Sequence, residues 1–419
     1  MARPLLDPRG AALRVELASA PDLAPAYAAH GSRPFWIVKG HATPAARSLV
    51  ADLADAGRDG LDPARYAPAA LAADLASAPR SSAQQQASIE LRLSRAFQRY
   101  VSDLHTPAPA AAMSFIDPAL AREFRVAQDP LLDLARAKST DAGLARAVRM
   151  NPIYQAFRAR IPQSGLPEPL LMANLERARA LPGDLGREYV LVDAAAQRLW
   201  LYDDGAYRDS MKVVVGKPSS QTPMMAGLIR YAVFNPYWNV PPDLTRYKFA
   251  PRIAANPATL AALRLQVLTD SGPDALALDP AGVDWRSVAD GSRSVWLRQL
   301  PGPDNMMGRV KLMLPNRLGI YLHDTPLRSL FEPATRTFSS GCVRLEDAHR
   351  LADRLLRSAK PPLEAGPEAR IDLPAAVPVY ITYFTVDPGF EGGAARHDVY
   401  GRDAPLLAQL AARAPAKPA

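Results

Sequence analysis

The spacing of apolar residues changes once along this chain, near Glu188, and that change limits the possible folds more than any other feature. Before it, apolar residues recur at helical spacing, as in the stripe Leu93, Phe97, Tyr100, Val101 and Leu104. After it, short apolar or alternating runs separated by turn residues indicate strands. We therefore predict an α+β chain, with a helical N-terminal scaffold domain followed by a β-rich, β-sandwich-like domain.

The strand pattern can be followed through most of the second half. It predicts strands at Tyr189–Val192, Arg198–Tyr202, Met211–Val215, Ile229–Phe234, Val310–Met313, Ile320–His323 and Val377–Phe384, with a hairpin turn at Asp204-Gly205. The predicted domains are residues 1–185, 186–388 and a C-terminal tail at 389–419. Within the first, the polar stretch from Ser81 to Gln86 is interpreted as a linker.

Between residues 241 and 300 the strand pattern is interrupted. Pro257–Leu265 is predicted to be helical, Asp279-Pro280 indicates a turn, and Trp285 and Trp296 stand in polar surroundings. We interpret this segment as a capping insertion, a lid over a cleft. The alternative, that both tryptophans are ordinary core residues, stays open.

One cysteine occurs in all 419 residues: Cys342, 342 − 323 = 19 positions after His323. A thiol attacks a carbonyl only as a thiolate, so it needs a neighbouring base, and His323 is the candidate. The preceding glycine lets the backbone approach a substrate, and the N–H groups of Ser340, Gly341 and Cys342 are candidate oxyanion donors. The alternative is a buried cysteine that only fills the core.

The residues after the cysteine favour an exposed nucleophile. Leu345 to Arg357 is predicted to be a helix, which would place Cys342 just before a helix N-terminus, where a thiolate is stabilised. Arg344 could bind a substrate carboxylate or tie the loop to a backbone carbonyl. Tyr321 alternates with His323 along one strand and so shares its face.

At these residues the chain resembles the L,D-transpeptidases of bacterial cell-wall synthesis, which carry a YkuD-type catalytic domain. The strings His323-Asp324-Thr325-Pro326 and Ser339-Ser340-Gly341-Cys342-Val343-Arg344 carry the likeness, and they are most similar to the large Gram-negative periplasmic (YcbB-like) subgroup. Further likeness lies in Asn174-Leu175-Glu176-Arg177, Val213–Pro218, Gln221-Thr222-Pro223, Phe234–Pro242 and Asp398–Asp403, so that the resemblance covers about residues 30 to 405.

The resemblance implies roles for individual residues. Cys342 would be the acylated nucleophile, His323 its base, and Asp324 would orient the imidazole through its backbone carbonyl. Contacts with the substrate are assigned to Arg344, Tyr321, Ser339 and Trp296. No cofactor is implied. The subgroup often carries a peptidoglycan-binding module that has too little room between Phe115 and Asn174 here, so wall binding would come from elsewhere.

By the same resemblance the expected reaction is the 3→3 cross-linking of peptidoglycan. The partners would be a tetrapeptide stem as donor and an amine as acceptor, in the periplasm. Water as acceptor would make the protein an L,D-carboxypeptidase, and a protein lysine would make it an anchoring enzyme. An inactive wall-binding scaffold protein is the alternative from another class.

Other chemistries are less well supported. One cysteine and one histidine, even with Asp324, fall short of the ligands that zinc needs, and the remaining histidines show no metal-ligand spacing. Cysteine follows histidine here, the reverse of papain-like peptidases. The net charge of +8 is dispersed and accompanies no nucleic-acid motif. No stretch is apolar and long enough to span a membrane, and no signal peptide follows Met1, so we expect the numbering to start on a mature chain.

Overall fold

The computed structural model describes residues 8–123, 129–161, 165–272, 274–357, 366–389 and 392–413. The chain forms two compact units. The first contains Met1–Met113, Ala121–Leu185 and Phe384–Ala419, and the second contains Ser114–Leu120 and Gly186–Tyr383. Helices dominate the first unit and strands the second, which confirms the α+β class.

The helices and strands before residue 186 are α1 (Pro8–Ala18), α2 (Ala24–Ala29), β1 (Ile37–Val38), β2 (His41–Ala42), α3 (Pro44–Ala54), α4 (Pro68–Ser77), α5 (Ala83–His105), β3 (Ser114–Phe115), α6 (Pro118–Glu123), α7 (Pro130–Ala135), α8 (Thr140–Ala147), α9 (Pro152–Arg160) and α10 (Glu168–Arg179). Helix α5 carries the predicted apolar stripe, and its five residues are all buried. The predicted linker is wrong: Ser82 and Gln85 form a capping box that starts α5.

A separate tail was predicted at 389–419, but the described residues of that segment include a helix that packs within the first unit. Helix α16 (Asp403–Arg413) buries Leu406 against Ala173 of α10. The guanidinium of Arg177 lies 2.6 Å from the Asp403 carboxylate, and the Asn174 side chain donates to Thr385 Oγ1 at 3.1 Å. These contacts give the Asn-Leu-Glu-Arg string of α10 a structural role, because the C-terminal residues Thr385, Asp403 and Leu406 pack against this helix.

The elements from residue 186 to 383 are β4 (Glu188–Asp193), β5 (Arg198–Asp203), β6 (Ala206–Gly216), β7 (Met225–Phe234), β8 (Trp238–Asn239), α11 (Pro242–Leu244), α12 (Ala250–Ala255), α13 (Ala258–Ala262), β9 (Leu265–Leu268), β10 (Ala277–Leu278), α14 (Trp285–Asp290), β11 (Trp296–Gln299), β12 (Val310–Met313), β13 (Leu322–His323), β14 (Thr337–Ser339), β15 (Val343–Leu345), α15 (Ala348–Leu356) and β16 (Ala369–Thr382). The main sheet is mixed and runs β12-β13-β15-β6-β5-β4-β16-β7-β3, while β14 pairs with β6. Strand β12, at one end of this order, also pairs with β7 near the other end, so the sheet closes around the core.

The predicted insertion has a sheet and a core of its own. Strands β10, β9, β11 and β8 form a separate four-stranded sheet, and Trp285 is buried with Phe249 and Val267 in its core. Trp285 is therefore a core residue, which agrees with the alternative interpretation of the tryptophans given above. The helix predicted at 257–265 is shorter, because Leu265 already begins β9.

Asn305 joins the two ends of this insertion. It is buried, and its side-chain amide donates to the carbonyls of Pro236 at 3.1 Å, Gln299 at 3.2 Å and Leu300 at 3.1 Å. One amide thus binds the chain that enters the insertion and the chain that leaves it. Within the described residues no helix is long and apolar enough to cross a bilayer.

Candidate active site

The register of two adjacent strands brings the predicted nucleophile and base together. Strands β13 and β15 run parallel, with Leu322 opposite Val343 and His323 opposite Arg344. Leu322 and Val343 are fully buried in the core. Because side chains alternate along a strand, His323, Arg344 and the residue before Val343, Cys342, lie on the other face.

A backbone carbonyl group fixes the tautomer of His323. Its ring Nδ1 lies 2.5 Å from the backbone carbonyl oxygen of Asp324, so Nδ1 carries the proton and Nε2 has the free lone pair. This is the contact expected of Asp324. Burial of the ring, assisted by the nearby Arg344 cation, lowers the pKa of His323 to about 4. The imidazole is therefore neutral at pH 7 and able to accept a proton.

The Asp324 side chain is itself fixed by two contacts, which hold its backbone carbonyl in place beside His323. Its carboxylate accepts the backbone N–H of Arg309 at 2.8 Å and pairs with the Arg328 guanidinium at 2.7 Å. Gly308 packs directly against it with a φ of +65°, and a Cβ atom at that position would overlap the carboxyl group. Gly308 is thus required both for its backbone conformation and for the space it leaves. The sequence reasoning assigned it no role.

Replacing Gly308 by alanine is expected to push Asp324 away and to tilt the imidazole that its carbonyl orients. A misplacement of about 1 Å at a catalytic group can lower the rate by roughly 10²-fold, so we expect kcat to fall by about that factor. Gly205→Ala is the matched control, since Gly205 has a φ of +70° with no atom near its missing Cβ. Equal kcat in the two variants would show that the close approach of Gly308 has no catalytic importance.

Cys342 is partly exposed, and its thiol is neutral in the resting protein. Sγ donates to the carbonyl oxygen of Gly319 at 3.3 Å, and no hydrogen bond joins it to His323 among the described residues. Burial raises the pKa of the Cys342 thiol, although the backbone of Tyr321 and the Arg344 cation act in the opposite direction. With a neutral imidazole beside a neutral thiol, the proton must move during attack on the substrate.

The prediction that a helix begins just after Cys342 is wrong. Val343–Leu345 is strand β15, inserted between β13 and β6, and the helix starts only at Ala348, where the Asp347 side chain caps it. The helix dipole therefore does not act on the thiol directly. The apolar spacing that predicted α15 is confirmed from residue 348 onward, with Leu351 and Leu355 buried.

The loop before the nucleophile is fixed by buried hydroxyl groups. Ser339 is buried, donates to the Cys342 carbonyl at 2.6 Å and accepts the Gly341 N–H at 3.1 Å. It shapes the loop, so the substrate contact predicted for it is not supported. Gly341 has a φ of +115°, and its N–H is already engaged by Ser339. Of the three predicted oxyanion donors, the N–H groups of Ser340 and Cys342 are the two that remain.

Thr222 ties this loop to the end of β6. Its hydroxyl donates to the Gly341 carbonyl at 2.8 Å and accepts the Gly216 N–H at 2.9 Å. Thr222 is completely buried. The sequence placed it in a family-like string, but its role could be assigned only once Gly216 and Gly341, far apart in the chain, were seen in contact with it.

The remaining predicted site residues fall into two groups. Arg344 and Tyr321 lie at the thiol: the Nε of Arg344 is buried without a hydrogen-bond partner in the described part of the chain, and the Tyr321 pKa is raised by burial and by Cys342. Trp296 lies in β11 of the insertion, opposite Leu268, and is half-buried. No contact joins Trp296 to the thiol among the described residues.

This arrangement has the parts that acyl transfer needs. A thiol, a neutral imidazole with a fixed tautomer, backbone N–H donors and a guanidinium with a free donor lie on one face of the sheet. Within the described ranges, no group of three His, Cys, Asp or Glu side chains is placed to hold a metal ion.

Two parts of the chain match known families. Residues 187–381 match the YkuD family, described as the L,D-transpeptidase catalytic domain, and residues 21–161 match the family described as the scaffold domain. A Haemophilus influenzae protein named "Putative L,D-transpeptidase" is 34% identical over 197 residues. That match covers 47% of this chain and 39% of the relative, so the chain spans well under half of its length.

Solved structures give a weaker likeness. An L,D-transpeptidase from Mycobacterium smegmatis is 14% identical, covering 46% of this chain and 58% of that one, with a TM-score of 0.23. A mutant of the Enterococcus faecium L,D-transpeptidase is 12% identical, covering 48% and 52%, with a TM-score of 0.24.

Proposed function

We propose that this chain, whose residues 187–381 are an L,D-transpeptidase catalytic domain of the YkuD family following a scaffold domain, forms 3→3 cross-links in peptidoglycan through a cysteine acyl-enzyme. The observation that supports this most is the β13–β15 register, which places Cys342 on the same face as a buried, neutral His323. A thiol and a neutral base in that relation suit nucleophilic attack on an amide carbonyl.

The first half of the reaction acylates the enzyme. Cys342 Sγ attacks the carbonyl carbon of the third residue of a tetrapeptide stem while His323 Nε2 takes the thiol proton. The N–H groups of Ser340 and Cys342 face the developing oxyanion. The amide C–N bond then breaks, and His323 returns the proton to the nitrogen of the departing terminal D-alanine.

The second half transfers the acyl group. The amine of a second stem attacks the thioester carbonyl, loses a proton to His323 and releases the Cys342 thiol. Arg344 has an unengaged Nε beside this centre, and we assign it a substrate carboxylate, because a guanidinium suits that group. Tyr321 would contact the stem on the same face.

The acceptor distinguishes the alternatives. Water would make the protein an L,D-carboxypeptidase, and a lysine of an outer-membrane protein would make it an anchoring enzyme. The reaction on wall stems assigns the protein to the periplasm. An inactive wall-binding protein is disfavoured, because His323 has the tautomer and the neutral charge that catalysis needs.

Mass analysis of the products from purified disaccharide-tetrapeptide tests the proposed function. A cross-linked dimer with one D-alanine lost per donor is the expected product. Tripeptide alone would show a carboxypeptidase, and the absence of either product from a folded protein would contradict the proposal.

A carbapenem is expected to acylate Cys342. The drug presents a strained acyl group, and the same thiol, base and oxyanion donors serve its ring opening. Intact-protein mass should rise by one drug equivalent, and peptide mapping should place it on Cys342. Cys342→Ala is the control that should stay unmodified. An adduct on a serine, or none on the wild-type protein, would contradict the assigned nucleophile.

We further propose that residues 241–300 act as a lid that excludes water from the thioester and helps to grip the donor. The segment has an independent core, and both of its ends are bound by Asn305. Two residues after Asn305, the backbone of Met307 contacts the His323 ring. The insertion is therefore connected to the base by a short piece of chain, a suitable place for closure to affect catalysis.

Deleting the lid is expected to raise the ratio of hydrolysed to cross-linked product. Asn239 of β8 pairs with Arg298 of β11, so the two strands are adjacent where the chain enters and leaves the lid. Residues 240–297 can therefore be replaced by a short turn without breaking the main sheet. Carbapenem acylation of the shortened protein serves as the folding control. If the shortened protein is acylated normally while the product ratio and the KM for the donor are unchanged, the segment has no role as a lid and contributes only to packing.

A further inference from the structure

The helical unit contains a cavity of about 630 Å³ whose rim is basic. Arg9, Arg33, Lys39 and Lys138 line it, against the two carboxyl groups of Glu90 and Asp141. The volume is that of an ordinary small-molecule or peptide site. The residues that line it belong to the first unit, whereas Cys342 belongs to the second.

In the part of the chain that the structure describes, three of the rim cations have no acidic partner and lie around the same cavity. Some arginines elsewhere in the helices are neutralised by acids, as in the pairs of Arg92 with Asp74 at 2.6 Å and Arg158 with Asp59 at 2.7 Å. Arg33, Lys39 and Lys138 form no ion pair within the described ranges. Three uncompensated cations gathered around one concavity create a positive potential that attracts an anionic ligand.

Lys39 is placed on the rim at a conformational cost. It forms, with Gly40, the two-residue turn between β1 and β2, and its φ is +52°. That conformation is usual for glycine or asparagine and uncommon for lysine. A hairpin that needed only to turn would favour asparagine here, so the lysine indicates a use for its charge.

The wall of the cavity is held rigid by a buried carboxylate. Glu90, at the centre of α5, accepts the backbone N–H groups of Phe35 at 2.6 Å and Ile37 at 2.8 Å, and the Tyr27 hydroxyl at 3.0 Å. Its oxygens are thereby engaged with the chain and offer little to a ligand. The Phe35 ring is fixed further by stacking on His30, with 4.2 Å between ring centroids. The site is therefore preorganised, with apolar walls beneath a cationic rim.

We propose that this cavity binds carboxylate-bearing stem peptides of peptidoglycan and so holds the scaffold domain on the wall polymer. The cations of the rim suit the stem carboxylates, and Leu13, Phe35 and Ile37 suit the alanine methyl groups. The choice of ligand rests on the proposed function, because the catalytic unit would act on the same polymer. An acidic segment of a partner protein is the competing ligand that the test must distinguish.

The test is cosedimentation of the full-length Cys342→Ala protein with purified, insoluble peptidoglycan. Reversing two rim charges, Lys39→Glu with Lys138→Glu, is expected to weaken binding by roughly tenfold. Arg14→Glu with Arg80→Glu makes the same change in net charge at exposed residues outside the cavity, and it should weaken binding less than twofold. Equal losses in both double variants would overturn the proposal in favour of non-specific attraction.

Soluble competitors identify the ligand. Disaccharide-tetrapeptide is expected to displace the protein from the wall, whereas the same fragment with amidated carboxyl groups should not. A poly-glutamate peptide that competes equally well would contradict recognition of stems. The cavity variants made with Cys342 intact should retain wild-type kcat on soluble tetrapeptide, so loss of wall binding with normal turnover would be distinct from a failure of the proposed function.

Discussion

Replacing Cys342 by alanine is expected to abolish acyl transfer and to leave the fold intact. No second thiol exists in the sequence to take over the attack. Removing the nucleophile of an enzyme that works through a covalent intermediate lowers turnover by roughly 10⁴-fold or more. The variant loses the Sγ contacts with the Gly319 carbonyl and with the backbone of Tyr321, and weak thiol hydrogen bonds contribute little to stability, so its thermal unfolding should lie close to that of the wild-type protein.

The measurement is turnover of disaccharide-tetrapeptide, with thermal unfolding as the control for folding. Retention of even about a tenth of the wild-type rate would show that another group performs the attack. A folded, inactive Cys342→Ala protein is also the reagent for the wall-binding test, since it cannot consume its ligand.

Replacing His323 by alanine is expected to lower the rate of Cys342 acylation by roughly 10²- to 10⁴-fold at neutral pH, the usual contribution of a general base. Burial raises the pKa of the thiol, so without an imidazole to accept the proton very little thiolate exists at pH 7.

The pH dependence provides the sharper form of this prediction. Because His323 must be neutral to act, and its pKa is lowered to about 4, the wild-type acylation rate should fall only when the pH drops to about 4. An imidazole with an ordinary pKa would cause that fall near pH 6.5. In His323→Ala the acid limb should vanish, and the rate should rise steadily with pH as thiolate forms.

The control for His323 is His397→Ala, which removes a histidine from the other unit. It should leave both the rate and the pH profile unchanged. If His323→Ala keeps the wild-type profile, the base lies elsewhere. If the wild-type limb falls near pH 6.5, the imidazole has an ordinary pKa and the lowered value is wrong.

Local sequence patterns predicted the class of the fold and singled out the residues of the candidate site. The strands β4, β5 and β12 coincide closely with apolar runs, because strand alternation is a property of a few consecutive residues. The pairing of His323 with Cys342 followed from their residue types and from a family resemblance, and the β13–β15 register gives it a physical basis.

The predictions that were wrong concern features that depend on residues distant in the chain. Strand β15 interrupts a helical pattern because β13 and β6 compete for residues 343–345 with ladder hydrogen bonds, and no local signal contains those partners. The Ser339 hydroxyl points inward, where it hydrogen-bonds the backbone of Gly341 and Cys342. Position 308 accepts only glycine because the Asp324 side chain packs against it. The C-terminal helix was missed for the same reason, since its docking surface lies on α10.

The most direct test of the central claim is the trapping of the acyl-enzyme formed on the natural donor. The protein would be mixed with disaccharide-tetrapeptide, quenched in acid, and measured as intact mass and as proteolytic peptides. The expected result is a mass increase equal to the disaccharide-tripeptide acyl group, located on Cys342 and removed by hydroxylamine as a thioester should be. Formation of tripeptide or dimer with an adduct on any other residue would contradict the assignment of Cys342 as the nucleophile.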